Sequence, residues 1–323
     1  MKHICLSIML LIPFVGISCQ NKKQKQQPTE TVNKTLSSVQ IQEIVPDTFV
    51  LPEIPSNITV AEERANYLTK HYWDRFDFMD NELLQRPEIT EQAFVDYVNI
   101  FNHVSIGKVS ESLKNMLLKI ESNSTAFNLF MHLYEKYLYD PNSPFLNEEY
   151  YIPVLETAVK SSVLTESSKS RYQFQLDLAK KNRIGQIAND FTYTLPSGKK
   201  GTLHDINSKY LILMFINPGC RMCAEAIDAL KSSNGINTAL TNKSALQSEL
   251  SILTVYPDGD LNEWRNYLPD MPSIWINTYD AERKITKDTI YDLKAIPTLY
   301  LLDKDKRVIF KDAKVERLLE FFK

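Results

Sequence analysis

The stretch C-R-M-C at residues 220–223, with its flanking segments, constrains the fold more than any other part of the sequence. An unbroken apolar run, Y-L-I-L-M-F at 210–215, precedes it, a turn covers 216–219, and a helical pattern begins near Met222. Such short apolar runs are typical of strands buried on both faces of a parallel sheet. Two thiols spaced like Cys220 and Cys223 can close a disulfide or bind a metal. The helix favours the disulfide, because a helix N-terminus stabilises a thiolate.

Length and charge limit the remaining possibilities. The chain has 323 residues, which is enough for two domains of about 150 residues each. Its 43% hydrophobic and 24% charged residues are ordinary for a folded protein. The net charge of −3 excludes nucleic acid as an expected partner.

The first 19 residues have the pattern of an export signal. A basic start at residues 1–3 is followed by an apolar run at 4–15, which is too short to span a membrane but suits a signal peptide. The next residues, G-I-S-C at 16–19, resemble the lipobox of bacterial lipoproteins, with Gly16 in place of the usual leucine. The resemblance implies a signal peptide over residues 1–18, cleavage before Cys19, and acyl chains on Cys19. An ordinary secretory signal with an incidental cysteine is the alternative.

This assignment leaves one thiol pair in the mature protein. Of the four cysteines, Cys5 leaves with the signal and Cys19 carries lipid, so only Cys220 and Cys223 can exchange disulfides. Residues 19–46 form the lipidated end and a polar tether that is expected to be disordered. Gln20 replaces the aspartate that commonly retains lipoproteins in the inner membrane. By family resemblance, this favours a cell-envelope protein anchored by lipid in the outer membrane and facing the periplasm.

Residues 47–183 show the apolar spacing of an all-α domain. Helices are predicted near 60–78, 90–105, 108–121, 125–139, 148–162 and 166–182. Thr90 and Thr165 are candidate helix caps. His71 and Asp74 share a face of the first predicted helix and could suit a metal, although a solvated face is the preferred interpretation. This region resembles the helical domain of unknown function found ahead of thioredoxin-like domains in exported lipoproteins, and that resemblance supplies no activity.

Residues 184–323 alternate short strands and helices, which predicts a sheet covered on both faces. Strands are expected at 191–195, 201–203, 210–216, 250–256, 274–277, 298–303 and 307–311, and helices after Cys223, to about 268, at 287–293 and at 315–322. The segments N-D-F-T-Y, Y-D-L-K-A-I-P-T-L-Y-L-L-D and K-R-V-I-F resemble the thioredoxin superfamily, and more narrowly the exported TlpA/ResA-like thiol–disulfide oxidoreductases. The expected fold is therefore an α/β thioredoxin-like C-terminal domain, with a mixed central sheet and flanking helices, preceded by the all-α domain.

The resemblance assigns roles to specific residues. Cys220 is expected to be the nucleophile, Cys223 to resolve the mixed disulfide, and Arg221 to add positive charge beside Cys220. Pro297 is expected to be cis, facing the thiols and exposing the Ile296 backbone to an extended substrate. The implied activity is disulfide exchange with protein clients, with a redox partner and without a cofactor.

Several positions depart from the family pattern. Pro218 and Gly219 stand where an aromatic residue usually precedes the first cysteine, and Met222 replaces a frequent proline. Ala226 occupies the place of a common acidic residue. Asp258 is a candidate proton acceptor, although a solvated loop carboxylate is preferred. Both the reductant and the oxidant direction fit this pattern.

Three other functions were weighed against disulfide exchange. A non-catalytic binding protein with a thioredoxin-like scaffold could hold Cu(I) through the thiols and His204, although copper chaperones of this superfamily typically use CxxxC. Zinc would need four ligands, and His204 is the one obvious third candidate. A peroxidase ranks low, because Asn217 stands where peroxiredoxins have threonine.

Overall fold

A computed structural model describes residues 48–242 and 247–323. The predicted signal peptide, Cys19 and the tether to residue 46 lie outside the described residues. Within the described ranges, none of the helices combines the length and the apolar character needed to cross a membrane.

The first part of the described chain is helical. Its helices are α1 Ala61–His71, α2 Asn81–Leu84, α3 Thr90–Ile100, α4 Ile106–Ile120, α5 Ser124–Leu138, α6 Glu148–Ala158 and α7 Glu166–Ala179. They surround one core dominated by large aromatic side chains, including the fully buried Phe94, Tyr97, Phe130 and Tyr134. Aromatic side chains bury large areas and pack edge to face, as Phe94 and Tyr134 do with ring centroids 5.0 Å apart. The predicted all-α domain is present.

The first helix is shorter than the sequence pattern suggested. A helix over 60–78 was expected, but α1 ends at His71 and the chain then turns. Tyr72, Trp73, Phe76 and Phe78 are all buried. In a continuous helix at about 100° per residue, Phe78 would point at least about 120° away from the other three. Burying all four rings therefore requires the helix to end.

The two predicted caps have different outcomes. Thr165 caps α7 as expected, because its hydroxyl accepts a hydrogen bond from the Ser168 amide at 3.2 Å. The prediction for Thr90 was wrong. Its hydroxyl donates to the Leu83 carbonyl at 2.7 Å, so it joins α3 to the end of α2 instead of satisfying an α3 amide.

The second part of the chain is built on a mixed seven-stranded sheet. The strands are β1 Thr192–Thr194, β2 Lys200–Thr202, β3 Ser208–Phe215, β4 Ser248–Tyr256, β5 Ile276–Tyr279, β6 Thr298–Asp303 and β7 Val308–Phe310. Their order in the sheet is β2-β1-β5-β4-β3-β6-β7. The central strand β3 pairs parallel with β4 and antiparallel with β6. This sheet explains the unbroken apolar run, because β3 is covered on both faces.

Alternate residues of β3 enter two separate cores. Ile212 and Met214 face the core that contains Cys223. Leu211, Leu213 and Phe215 face the other core. All five side chains are fully buried, so a one-residue shift in register would exchange the two faces without exposing either.

The helices around the sheet include one that was predicted in the wrong place. They are α8 Arg221–Ser232, α9 Asn234–Thr241, α10 Leu261–Tyr267, α11 Lys284–Lys287 and α12 Val315–Phe321. The helix expected at 287–293 is absent, because α11 ends at Lys287 and Thr289 adopts a left-handed φ of 47°. Carbonyl groups of this segment accept hydrogen bonds from side chains of the helical domain instead. Lys181 Nζ donates to Thr289 O at 2.6 Å and Asn182 Nδ2 to Ile290 O at 2.9 Å.

A cluster of five buried charges joins the helical part to the sheet part. Lys294 Nζ lies 2.5 Å from Glu148 Oε1 and 3.1 Å from a carboxylate oxygen of both Asp292 and Asp312. The other oxygen of Glu148 lies 2.5 Å from Lys311 Nζ. Glu148 is the first residue of α6, and the other four belong to the sheet part. We call these five side chains the junction cluster.

The junction cluster is a tightly coupled set of charges. Burial raises the pKa of Glu148 against the opposing effect of the two lysines. Burial acts to lower the pKa of Lys294, but the carboxylates of Asp312, Glu148 and Asp292 outweigh it and raise that pKa. Tyr139 covers the cluster from the helical side. Its hydroxyl donates to Asp292 at 2.9 Å, and its ring centroid lies 4.6 Å from Lys294 Nζ.

We expect Glu148→Ala to destabilise the protein by about 3–5 kcal/mol, because removing one partner of a buried ion pair leaves uncompensated buried charge. Glu156→Ala is the matched control. Glu156 pairs with Lys180 at 2.9 Å, and both side chains are more than a third exposed, so its loss should cost less than about 1 kcal/mol. Urea unfolding at neutral pH measures both values. Equal midpoints for the two variants would contradict the structural role of the cluster.

Candidate active site

The thiol pair lies just after the end of the central strand β3, at one end of the sheet. After β3 ends at Phe215, a turn leads to α8, and Gly219 in that turn has a φ of 73°. This left-handed conformation favours glycine, which explains why no aromatic residue stands directly before Cys220. Cys220 is the N-cap of α8, and its sulfur accepts a hydrogen bond from the Cys223 amide at 3.3 Å. The sulfur therefore occupies the place of a capping oxygen, next to the positive end of the helix dipole.

The two cysteines differ in their surroundings, although both are free thiols. Cys220 is partly exposed, whereas Cys223 is 0% exposed and belongs to a core beneath the sheet. Burial raises the pKa of Cys223 to about 12, and the neighbouring Cys220 thiol adds to this effect. Cys223 therefore stays protonated at neutral pH, and only Cys220 is accessible from solvent.

The loop before β6 lies against the Cys220 sulfur. The Ile296–Pro297 peptide bond is cis, as the resemblance implied. The Cys220 thiol donates to the Ile296 carbonyl at 3.6 Å. Pairing between Phe215 and Thr298 places this loop beside the end of β3. Among the residues that the structure describes, the Ile296 amide has no hydrogen-bond partner.

The charged residues near the thiols are largely solvated. The Arg221 side chain is 85% exposed, and its Nε lies 3.0 Å from Glu225 Oε1. Its positive charge is therefore shared with Glu225 on the exposed side of α8. Asp258 lies 2.9 Å from Arg283, and both side chains are more than half exposed. This is the solvated loop carboxylate that was the preferred interpretation of Asp258.

The ring nitrogens of His204 lie near oxygen atoms of neighbouring residues and not near the thiols. Its Nε2 lies 2.8 Å from the Ala188 carbonyl, and its Nδ1 lies 4.0 Å from Asp190. Over residues 48–242 and 247–323, no three histidine, cysteine or acidic side chains cluster closely enough to hold a metal ion. His71 Nδ1 lies 2.7 Å from Asp74 Oδ2, and both side chains are partly exposed.

Sequence reasoning missed two residues close to the site. Tyr267, at the end of α10, packs against the core that contains Cys223. Burial raises the pKa of Tyr267, and the negative charge that Cys223 and Cys220 can carry adds to the effect. Lys294, two residues before Ile296, pairs with three carboxylates of the junction cluster. Its charged neighbours Asp292 and Asp312 were visible in the sequence, but nothing there connected them to α6.

The chain matches two family models. Residues 18–182 match the domain of unknown function DUF5106, and residues 207–308 match a thioredoxin-like family. No curated protein matches the chain.

Solved structures give similar proteins. A thioredoxin-like protein from Bacteroides caccae is 45% identical, with a TM-score of 0.82, over 86% of this chain and 98% of that one. The C-terminal domain of an uncharacterised protein from Bacteroides fragilis is also 45% identical, with a TM-score of 0.41, over 44% of this chain and 97% of that one. A domain of a possible thiol-disulfide isomerase from Cytophaga hutchinsonii is 26% identical, with a TM-score of 0.36, over 44% of this chain and 92% of that one.

The two family matches and the Bacteroides caccae structure agree with the architecture built above, a helical domain followed by an α/β domain with a mixed sheet. The DUF5106 match covers half of the chain, and the Bacteroides caccae protein is similar over nearly all of its own length. The chain therefore belongs to the DUF5106 family and carries that helical domain ahead of a thioredoxin-like domain.

Proposed function

We propose that this protein is a thiol–disulfide oxidoreductase that acts on protein disulfides through Cys220 and Cys223. The difference between the two thiols carries the proposal. Cys220 is accessible at a helix N-terminus, and Cys223 is buried one turn further on with a raised pKa. An exposed attacking thiol and a protected second thiol are what ordered disulfide exchange requires.

The exchange proceeds in two steps. The Cys220 thiolate attacks one sulfur of a client disulfide, forms a mixed disulfide, and releases the other client sulfur as a thiolate. Cys223 then loses its proton and attacks the Cys220 sulfur, which forms the Cys220–Cys223 disulfide and releases the second client thiolate. Two electrons pass from the pair to the client. A dithiol redox partner restores the pair, and the reverse sequence oxidises a client dithiol.

The loop at Ile296 gives the client a place to dock. Its carbonyl accepts the Cys220 thiol at 3.6 Å, and its amide is free to donate to the main chain of an extended segment. A client held there would lie directly against the attacking sulfur. The proposal therefore keeps the substrate-docking role that was expected for Ile296 and Pro297, and the TlpA/ResA-like subtype stays a prediction from the sequence.

The amino-terminal sequence supports a location in the cell envelope. Signal cleavage before Cys19 and acylation of Cys19 would attach the protein to the membrane, since several acyl chains hold far more firmly than one. The tether to residue 46 would then present the folded part to the periplasm. Gln20 favours the outer membrane over the inner membrane.

Alkylation should separate the two thiols. At about pH 8, a pKa of about 12 leaves a thiolate fraction on the order of 10⁻⁴ at Cys223. We therefore expect iodoacetamide to label the Cys223→Ser variant, which retains Cys220, at least about 100-fold faster than the Cys220→Ser variant. Mass spectrometry follows the labelling, and unfolding in guanidinium chloride should equalise the two rates. Equal rates in the folded proteins would contradict the proposed division of roles.

Trapping should reveal the mixed disulfide. In Cys223→Ser the second step is blocked, so a disulfide-bonded protein such as insulin should remain attached to Cys220 and appear as an adduct on a non-reducing gel. Cys220→Ser is the control and should form no adduct. Insulin turnover should fall by at least about 100-fold in both variants. A Cys223→Ser protein that yields no adduct while the wild type binds insulin would favour the non-catalytic scaffold.

Membrane attachment should depend on a single cysteine. We expect Cys19→Ala to remove the protein from the outer-membrane fraction, because the lipid-bearing sulfur is removed. Cys5→Ala is the matched control, since Cys5 lies inside the predicted signal, and it should stay in the outer membrane. Immunoblots of separated inner and outer membranes measure the distribution. Retention of Cys19→Ala in the outer membrane would exclude the lipid anchor.

A further inference from the structure

A groove of about 530 Å³ begins at the active-site loop and is closed on one side by the helical domain. Its lining includes Ile296 and Pro297, Met222 and Ala226 of α8, and Leu146 of the connection between α5 and α6. Five charged residues also line it, namely Glu225, Lys294, Asp312, Lys314 and Glu316. Its volume is within the range of binding sites that engage side chains, about 300–1,000 Å³.

Over the described residues, two apolar side chains that line this groove belong to none of the hydrophobic cores. Met222 is 56% exposed directly beside the nucleophile. Leu146 is half-buried, and over the described residues it belongs to none of the three hydrophobic cores. Exposed apolar groups that line a concave surface mark sites of interaction more often than isolated surface residues do. Here both line the same groove, one from each domain.

The wall that carries Leu146 is held in place on both sides. Before Leu146, the Ser143 hydroxyl donates to the Tyr137 carbonyl at 2.6 Å, and directly after Leu146 the Asn147 amide donates to the Leu138 carbonyl at 3.0 Å. After it, Glu148 enters the junction cluster with Lys294. Because Lys294 lies two residues before Ile296, the same ion pair holds both the helical wall and the docking loop. The groove is therefore organised before any partner arrives, which lowers the entropy cost of binding.

We propose that the helical domain supplies one wall of the client site, and that the groove takes an extended apolar segment of a polypeptide joined to Cys220 by a mixed disulfide. This inference rests on the proposed function and adds the partner's chemistry. Ile296 lines the groove and its carbonyl contacts the Cys220 thiol, so a chain attached to that sulfur begins beside the groove. Leu146 and Met222 contact the partner's apolar side chains. Leu146 is thereby a specificity residue that lies outside the thioredoxin-like domain.

The test uses two probes that share one leaving group. The first is a short leucine-rich peptide with one cysteine, as its mixed disulfide with 2-nitro-5-thiobenzoate, and the second is the same mixed disulfide of free cysteine. Attack by Cys220 forms a new disulfide with the probe and releases the coloured thiolate. Stopped-flow absorbance gives the rate constants for the full-length lipidated protein in detergent.

We expect Leu146→Asp to lower the rate with the peptide about tenfold, because a carboxylate replaces an apolar contact, and to leave the rate with the cysteine probe unchanged. Leu146→Ala should show a smaller loss in the same direction, and it decides the matter if the aspartate variant fails to fold. Leu118→Asp is the matched control. It alters an exposed leucine of α4 in the same domain, and should change neither rate.

Several results would overturn the inference. They are equal effects of Leu146→Asp on both probes, no effect on either, or a wild-type protein that reacts faster with the cysteine probe than with the peptide. The last result would indicate a small-molecule disulfide as the substrate. In each of these cases the cysteine probe still reacts, so the proposed oxidoreductase function stands. If the wild type reacts with neither probe, the proposed function fails and this inference fails with it.

Discussion

The position of Lys294 is the constraint on which the two-domain arrangement depends. Its ammonium group is almost completely removed from water and contacts carboxylates from α6 and from its own domain. A buried ammonium is costly to desolvate, and only close opposite charges offset that cost. If the helical domain moved away, Lys311 would lose the carboxylate of Glu148, and Lys294 would keep only the two carboxylates of its own domain. The junction cluster therefore ties the two domains, together with the hydrogen bonds from Lys181 and Asn182.

The same residue connects the domain junction to the chemistry. Two residues after Lys294, the Ile296 carbonyl accepts the Cys220 thiol, and the following strand β6 pairs with β3. Cys220 and the Ile296–Pro297 loop thus approach from two neighbouring strands of one sheet. Cys223 faces the apolar core beneath that sheet, so its raised pKa comes mainly from burial, and the neighbouring Cys220 adds to it.

The parts of this structure that are local in sequence were predictable. The apolar run at 210–216 became β3, and the helix after it begins at Arg221, as its pattern indicated. The family resemblance implied the cis bond before Pro297 and its place near the thiols, and both follow from two strands that pair directly. The junction cluster was not predictable, since Glu148 and Lys294 are 146 residues apart and charged residues are normally read as solvated. The length of the first helix was overestimated, because its apolar pattern does not show that all four aromatic rings must be buried in one core.

In the proposed function, attack on a client disulfide and selection of the client depend on different features of the structure. Reactivity depends on the exposure of Cys220 at a helix N-terminus, which any disulfide of suitable size could exploit. Selection needs contacts that extend beyond the sulfur, and a thioredoxin-like domain alone offers one side of a groove. In our proposal, the DUF5106 domain adds the other side through Leu146, near Glu148 of the junction cluster. Because the junction cluster holds this part of the helical domain in place, the proposed groove would discriminate between clients without a closing movement, and the helical domain would need no chemistry of its own to influence the reaction.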